Sequence, residues 1–186
     1  MDKNVIDIMN RVLKFYNYDQ CFVYYTKRIM SIRQAKIRGE VIVAKPVLLL
    51  AIIDGIDADV FMGNGFPLND WLEERYGMLM KQYMRDSQFD KPTDISNPFW
   101  HLQSDGFWNL QYTEKPQEGL TPSKRWLKEK VTLASLDDDL WLLLQDKAWR
   151  QKLRDYIVEH KLKDGSWYAK IGAEGLGVIA ALLLAA

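Results

Sequence analysis

Apolar positions recur at helical spacing over much of the chain. Val5, Ile8, Met9, Val12, Leu13 and Phe15 mark a helix over residues 4–17. A second helix is predicted from about Tyr18 to Arg38, with Gly39 as its C-cap. Lys45-Pro46 opens the most apolar run, Val47-Leu48-Leu49-Leu50-Ala51-Ile52-Ile53-Asp54. Proline in the first turn, apolar residues on every side and Gly55 near the end predict a buried helix. Asn69 or Asp70 caps a further helix to about Arg85, with Trp71, Leu72, Met78, Leu79 and Tyr83 inward. Residues 87–97, with Pro92, Asp94 and Ser96, form a loop.

The pattern then changes. Phe99-Trp100-His101-Leu102-Gln103 and Phe107-Trp108-Asn109-Leu110-Gln111 repeat one frame across Ser104-Asp105-Gly106. Two such runs around an Asp-Gly turn predict a β-hairpin, with Trp100 and Leu102 on one face and Phe99 and His101 on the other. Residues 112–120 form a polar loop, and Thr121-Pro122-Ser123 supplies a helix N-cap with proline at the first position. Ser135 caps a short helix through Asp137-Asp138-Asp139 to about Leu144, and Asp146 caps a last one to about Leu162. The expected fold is mainly α with a small β-hairpin, a single compact helical domain over residues 1–162. A tail of unassigned role follows over 163–186. Its apolar stretch, Gly172 to Ala186, falls short of the roughly 20 residues a membrane span needs, so no membrane partner is expected.

Composition is that of an ordinary globular domain, with 48% hydrophobic and 27% charged residues in 186. The formal net charge is zero, but the charges are segregated. From Lys27 to Lys45 there are six basic residues and one acid, Glu40, whereas Asp54, Asp57, Asp59, Asp70, Glu73 and Glu74 follow. A second basic cluster, Lys124, Arg125, Lys128 and Lys130, sits at a predicted helix N-terminus, where free N–H groups favour an anion. The single cysteine, Cys21, excludes a disulfide framework and fits a reducing cytoplasm.

Two histidines, no Cys-x-x-Cys, no glycine-rich phosphate loop and no nucleophile elbow leave no catalytic residue, metal or cofactor to assign. Asp137, Asp138 and Asp139 are adjacent on a helix and cannot converge on one metal, so they are assigned a structural role. Asp54, Asp57 and Asp59 lack the later ligands of a calcium loop and are assigned to a solvated helix exit. An enzymatic pairing of His101 with Asp105 lacks a nucleophile. A basic rim around an aromatic floor suits a polyanion carrying a polarisable group. The competing reading is a protein-interaction module that docks a separate nuclease or other restriction subunit through the aromatic hairpin.

Lys45-Pro46-Val47-Leu48-Leu49-Leu50-Ala51-Ile52-Ile53-Asp54, followed by Asn97-Pro98-Phe99-Trp100-His101-Leu102-Gln103-Ser104-Asp105-Gly106-Phe107-Trp108, resembles the DNA sulfur-binding domain that precedes the HNH nuclease domain of McrA-like type IV restriction endonucleases. The similar region runs from about Arg28 to Leu162. The resemblance implies a mostly helical domain that binds double-stranded DNA whose backbone carries a phosphorothioate. The resemblance further implies a targeting module of a bacterial restriction system. Sulfur is larger, more polarisable and less strongly hydrated than oxygen, so an apolar cavity favours it.

The family's cavity includes a proline, matched by Pro98. Asn97 stands where the family has an aromatic residue, and His101 where it has a small one. A histidine there narrows the cavity or donates a hydrogen bond to the phosphate. Trp100 belongs to the same segment. The family's basic residues match Lys45 and Arg38, and its later arginine pair falls at Lys124 and Arg125. The family's HNH domain has no counterpart in the chain, so the expected activity is DNA binding and not hydrolysis.

Overall fold

The computed structural model describes residues 14, 15, 17–84, 89, 91–119 and 121–162. The helix expected over residues 4–17 lies outside these apart from its end. Helix α1 (Tyr18–Met30) begins at Asn17, whose side chain accepts the Gln20 N–H, and ends at Ser31, whose hydroxyl donates to the Arg28 carbonyl. It does not run on to Arg38. Lys36–Ile37 (β1) and Glu40–Val41 (β2) instead pair as an antiparallel hairpin. Arg38 and Gly39 take φ of 51° and 86°. A two-residue hairpin loop that matches the strand twist needs positive φ at both central residues, so Gly39 serves the hairpin and not a helix end.

The next helix, α2 (Ala44–Asp57), holds the centre of the core as expected: Val47, Leu48, Leu50 and Ala51 are fully buried. Pro46 is its third residue, where the missing N–H costs no helical bond. Gly55 is dictated by contact, because a Cβ there would lie 2.4 Å from the Phe61 ring and 3.0 Å from Trp71. Helix α3 (Asp70–Tyr83) follows, with the Asn69 side chain accepting the Leu72 N–H at 3.0 Å. The acids at the end of α2 are not merely solvated. Asp54 accepts from Arg75 of α3 at 2.8 Å and from Arg154 at 3.2 Å, and Asp57 accepts from Arg150 at 2.6 Å. Arg150 and Arg154 lie on the helix Lys147–Ile157, described below.

The hairpin predicted around Asp105-Gly106 does not form. Its first half is helix α4 (Ser96–His101), continued by a 3-10 turn over Leu102–Asp105. The Asp94 carboxylate accepts the Ser96 N–H at 2.9 Å and starts the helix. Pro98 sits in its first turn, and Gly106, at φ 77°, ends the 3-10 turn. The faces follow helical spacing: Phe99 and Leu102 are buried, while Trp100 and His101 are half-buried.

Only the second half of the repeat is a strand, β3 (Trp108–Tyr112), and its partner is β4 (Val131–Leu136), in register from Trp108↔Leu136 to Tyr112↔Val131. Trp108 explains the divergence. Its indole N–H donates to the Phe99 carbonyl at 2.9 Å and its ring stacks on Phe66 at 5.8 Å. A buried tryptophan needs such a partner for its N–H, and the helix supplies a carbonyl to it.

Between these strands lies helix α5 (Lys124–Lys130). Its N-cap is Ser123 and not Thr121, for the Ser123 hydroxyl accepts the Trp126 N–H at 3.2 Å. Ser135 lies inside β4, and Asp137 stands at the N-cap of α6 (Asp138–Gln145). Asp146 caps α7 (Lys147–Ile157), accepting the Ala148 and Trp149 N–H groups, and a π-helical turn over Val158–Leu162 closes the described chain.

The acidic run is structural. Asp137 accepts from the Tyr25 hydroxyl at 3.0 Å, and the buried Asp139 accepts the Lys14 and Phe15 N–H groups. Cys21 is buried, donates to the Asp139 carbonyl at 3.4 Å, and is pushed up to about 12 by burial, so its thiol is inert at neutral pH.

The architecture is mainly α, with two small two-stranded antiparallel sheets. Among the described residues no helix is long and apolar enough to cross a membrane.

Candidate nucleic-acid interface

Four of the predicted site residues, Asn97, Pro98, Trp100 and His101, lie on the two turns of α4. Helix α4 is braced on both sides by the two basic segments. On one side, Lys45 in the first turn of α2 forms an ion pair with Asp105 of the 3-10 turn at 2.6 Å. Its Nζ also lies 3.5 Å from the Ser104 hydroxyl, which itself donates to the His101 carbonyl. On the other side, three contacts tie α4 to the start of α5. His101 Nε2 lies 3.1 Å from Thr121 Oγ1, Asp94 pairs with Lys124 at 3.0 Å, and the Trp100 and Trp126 rings meet edge-on at 6.4 Å. Tyr112 completes a partly exposed aromatic trio with those two rings. Lys45 and Lys124 thus flank one short helix, although 79 residues separate them, from 45 to 124.

The remaining predicted residues differ in setting. Arg125 is on the outer face of α5, its side chain 87% exposed and held by Glu129 one turn on, which raises its pKa. Arg38 is exposed at the tip of the β1–β2 hairpin. Asn97 is exposed, whereas Pro98 is buried and offers no open platform.

The electrostatics are more balanced than the sequence suggested. Lys124 is raised by hydrogen bonds from its amine to Asp94 and Glu73, and Lys128 by its bonds to Glu73 and Asp70. Burial pushes the Asp94 carboxyl up, but the hydrogen bonds from Ser96 and Lys124 outweigh it and hold it below the usual range. Burial, and then the nearby Lys45 ammonium, lower His101 below the ordinary imidazole value. Each paired cation is a charge that a phosphate would have to win from a carboxylate.

Sequence reasoning missed several participants. Thr121 was assigned as a helix cap and Asp105 as a turn residue. Glu73 belonged to an acidic stretch with no stated role. Tyr112 and Trp126 were not singled out at all. Only the repeated Phe-Trp frame signalled that aromatic residues would gather here. Arg28 is a further case. A Cβ on Gly106 would lie 3.4 Å from its guanidinium, so α1 also reaches this end of the 3-10 turn. Among the described residues no three His, Cys, Asp or Glu side chains are grouped to hold a metal ion.

The fold is one seen in a DNA-bound domain. The chain is similar to the solved sulfur-binding domain of ScoMcrA complexed with phosphorothioated DNA, with a TM-score of 0.55 and 18% identity over 76% of this chain and 90% of that one. A structure of the sulfur-binding and SRA domains of ScoMcrA, also complexed with phosphorothioated DNA, matches with a TM-score of 0.52 and 22% identity, over 66% of this chain and 37% of that longer one. At these identities the likeness is one of fold. A search of curated proteins found no match. The family is shown separately: the profile of the ScoMcrA-like, DNA sulfur-binding domain matches residues 25–166, and the chain belongs to that family.

Proposed function

We propose that this protein binds double-stranded DNA through its phosphate backbone and recognises a phosphorothioate there, as the targeting module of a restriction system. The observation that carries this reading is the bracing of α4 between Lys45 and Lys124, with Pro98, Trp100 and His101 on the helix so held. Backbone contacts position such a protein without reading bases. Arg125 and Lys128 supply exposed charge at the rim, with Arg38 a further basic contact. Pro98, at the base of this surface, supplies an apolar contact that a weakly hydrated sulfur tolerates better than oxygen does. Hydrolysis belongs in this reading to an HNH domain or separate nuclease, and the setting is the cytoplasm. Residues 1–162 form the binding domain, and 163–186 have no assigned part in it.

The test is fluorescence anisotropy with one short duplex, with and without a single phosphorothioate, at two salt concentrations. About three phosphate contacts predict a log–log salt slope near −2.7. A preference for sulfur of about tenfold, worth about 1.4 kcal/mol, is the expected result. Equal affinity for both duplexes would remove the sulfur preference, and no binding to either would remove the DNA interface.

A further inference from the structure

His101 is built differently from the other basic groups of this surface. Its ring is half-buried on the last turn of α4, three residues after Pro98, so the two share a helix face. Nε2 is engaged with Thr121 Oγ1 at 3.1 Å, and the described residues give Nδ1 no hydrogen bond. The charged group acting on it from α2 is the Lys45 ammonium, itself paired with Asp105 of the 3-10 turn. From the α5 side comes the neutral Thr121 hydroxyl, while Lys124 beyond it is engaged by Glu73 and Asp94. A neutral imidazole has one N–H, which reaches an incoming group only in the tautomer that leaves Nε2 to accept from the Thr121 hydroxyl. An imidazolium has two, one for each.

Resting on the DNA-backbone reading above, we propose that His101 is a proton-linked contact to the backbone anion. Entry of a phosphate or phosphorothioate beside the ring draws one proton from solvent onto it. The ring then donates from Nε2 to Thr121 and from Nδ1 to the anion. Only an N–H bond forms, and phosphodiesters do not themselves titrate near neutrality.

Linkage gives two opposed trends. In the free chain His101 is lowered by burial and by Lys45. Its contribution to stability is therefore complete above about 6.5, the unfolded value, and is lost as pH falls through the lowered folded value. In the complex the neighbouring anion favours the charged ring, so the complex holds more protons than the free chain. Affinity then rises as pH falls, by at most about tenfold per pH unit. Acid thus weakens the fold slightly and strengthens the complex.

The experiment is anisotropy of the full chain with the phosphorothioate duplex from about pH 8 to about pH 6, with imidazole NMR of the wild type free and bound. The chain has two histidines, so His160→Gln assigns the signals. The expected result is a Kd about fivefold lower at the acid end and a His101 titration that moves upward on binding. His101→Gln, which keeps a polar partner for Thr121 but cannot gain a proton, should flatten the pH profile. A His101 titration unmoved by DNA, or a wild-type profile that is already flat, overturns the proposal while leaving DNA binding in place. No binding at any pH overturns the reading on which it rests.

Discussion

Lys45 and Lys124 stand on either side of α4 and use their charge in opposite ways. The side chains of Lys45 and Asp105 are 12% and 5% exposed, whereas Lys124 is 39% exposed and its partners Glu73 and Asp94 are 22% and 52% exposed. Removing one member of a buried pair leaves an uncompensated charge out of water. Opening a solvent-exposed pair costs little, because water and incoming anions replace the partner. The same residue type is therefore a strut on one side of the helix and an exchangeable hand on the other. The proposed DNA interface, which would hold its geometry and then trade carboxylates for phosphates, uses both.

The contrast can be broken most directly at Asp105. Asp105→Asn strands the Lys45 ammonium and should lower the unfolding free energy by about 3 kcal/mol, measured by urea denaturation. A loss below about 0.5 kcal/mol would make Lys45 an ordinary surface lysine. Next in size, Arg125→Ala should weaken binding to modified and unmodified duplexes alike by about fivefold and reduce the salt slope by about one. The urea midpoint should stay unchanged. Affinity that survives this change would place the DNA elsewhere.

A smaller effect of opposite sign is expected at Glu73, which pairs with both Lys124 and Lys128. Glu73→Gln should tighten duplex binding by about threefold, since it removes one of the two carboxylates that engage each of Lys124 and Lys128. Weaker binding would mean that Glu73 positions the lysines and does not compete for them. The smallest effect lies at Asp94. Its carboxyl is held below its ordinary value, so its contribution to stability is present above that ordinary value and lost as pH falls through the lowered one. Acid unfolding of Asp94→Asn should accordingly begin less steeply below about pH 4.

Some of this was legible along the chain and some was not. The α2 helix was, because a run apolar on every side has one stable place, the middle of a core. So were Asn69 and Asp146, whose side chains cap the helices that follow them. The helix start at Thr121-Pro122-Ser123 was legible too, but the fold of residues 99–111 was not. Phe99-Trp100-His101-Leu102-Gln103 and Phe107-Trp108-Asn109-Leu110-Gln111 look alike as strings. Pro98 and Asp94 favour a helix for the first, and β4, more than twenty residues later in the chain, pairs with the second. Local pattern carries no information about a partner that distant. Of the candidate site, Arg38, Lys45, Asn97, Pro98, Trp100, His101, Lys124 and Arg125 were named from the resemblance and the basic clusters. The acids that engage the basic residues were not.

The sequence by itself determined the class of fold, the buried helix at its centre and two basic clusters, because hydrophobic periodicity and charge segregation are local properties, while the resemblance to the family pointed to the candidate surface. Tertiary structure alone decided that Lys45 and Lys124 meet the same short helix, that Pro98 is buried and that His101 rests against Thr121. These depend on which distant segments pack together, and packing is settled by the whole core and not by any window of the chain.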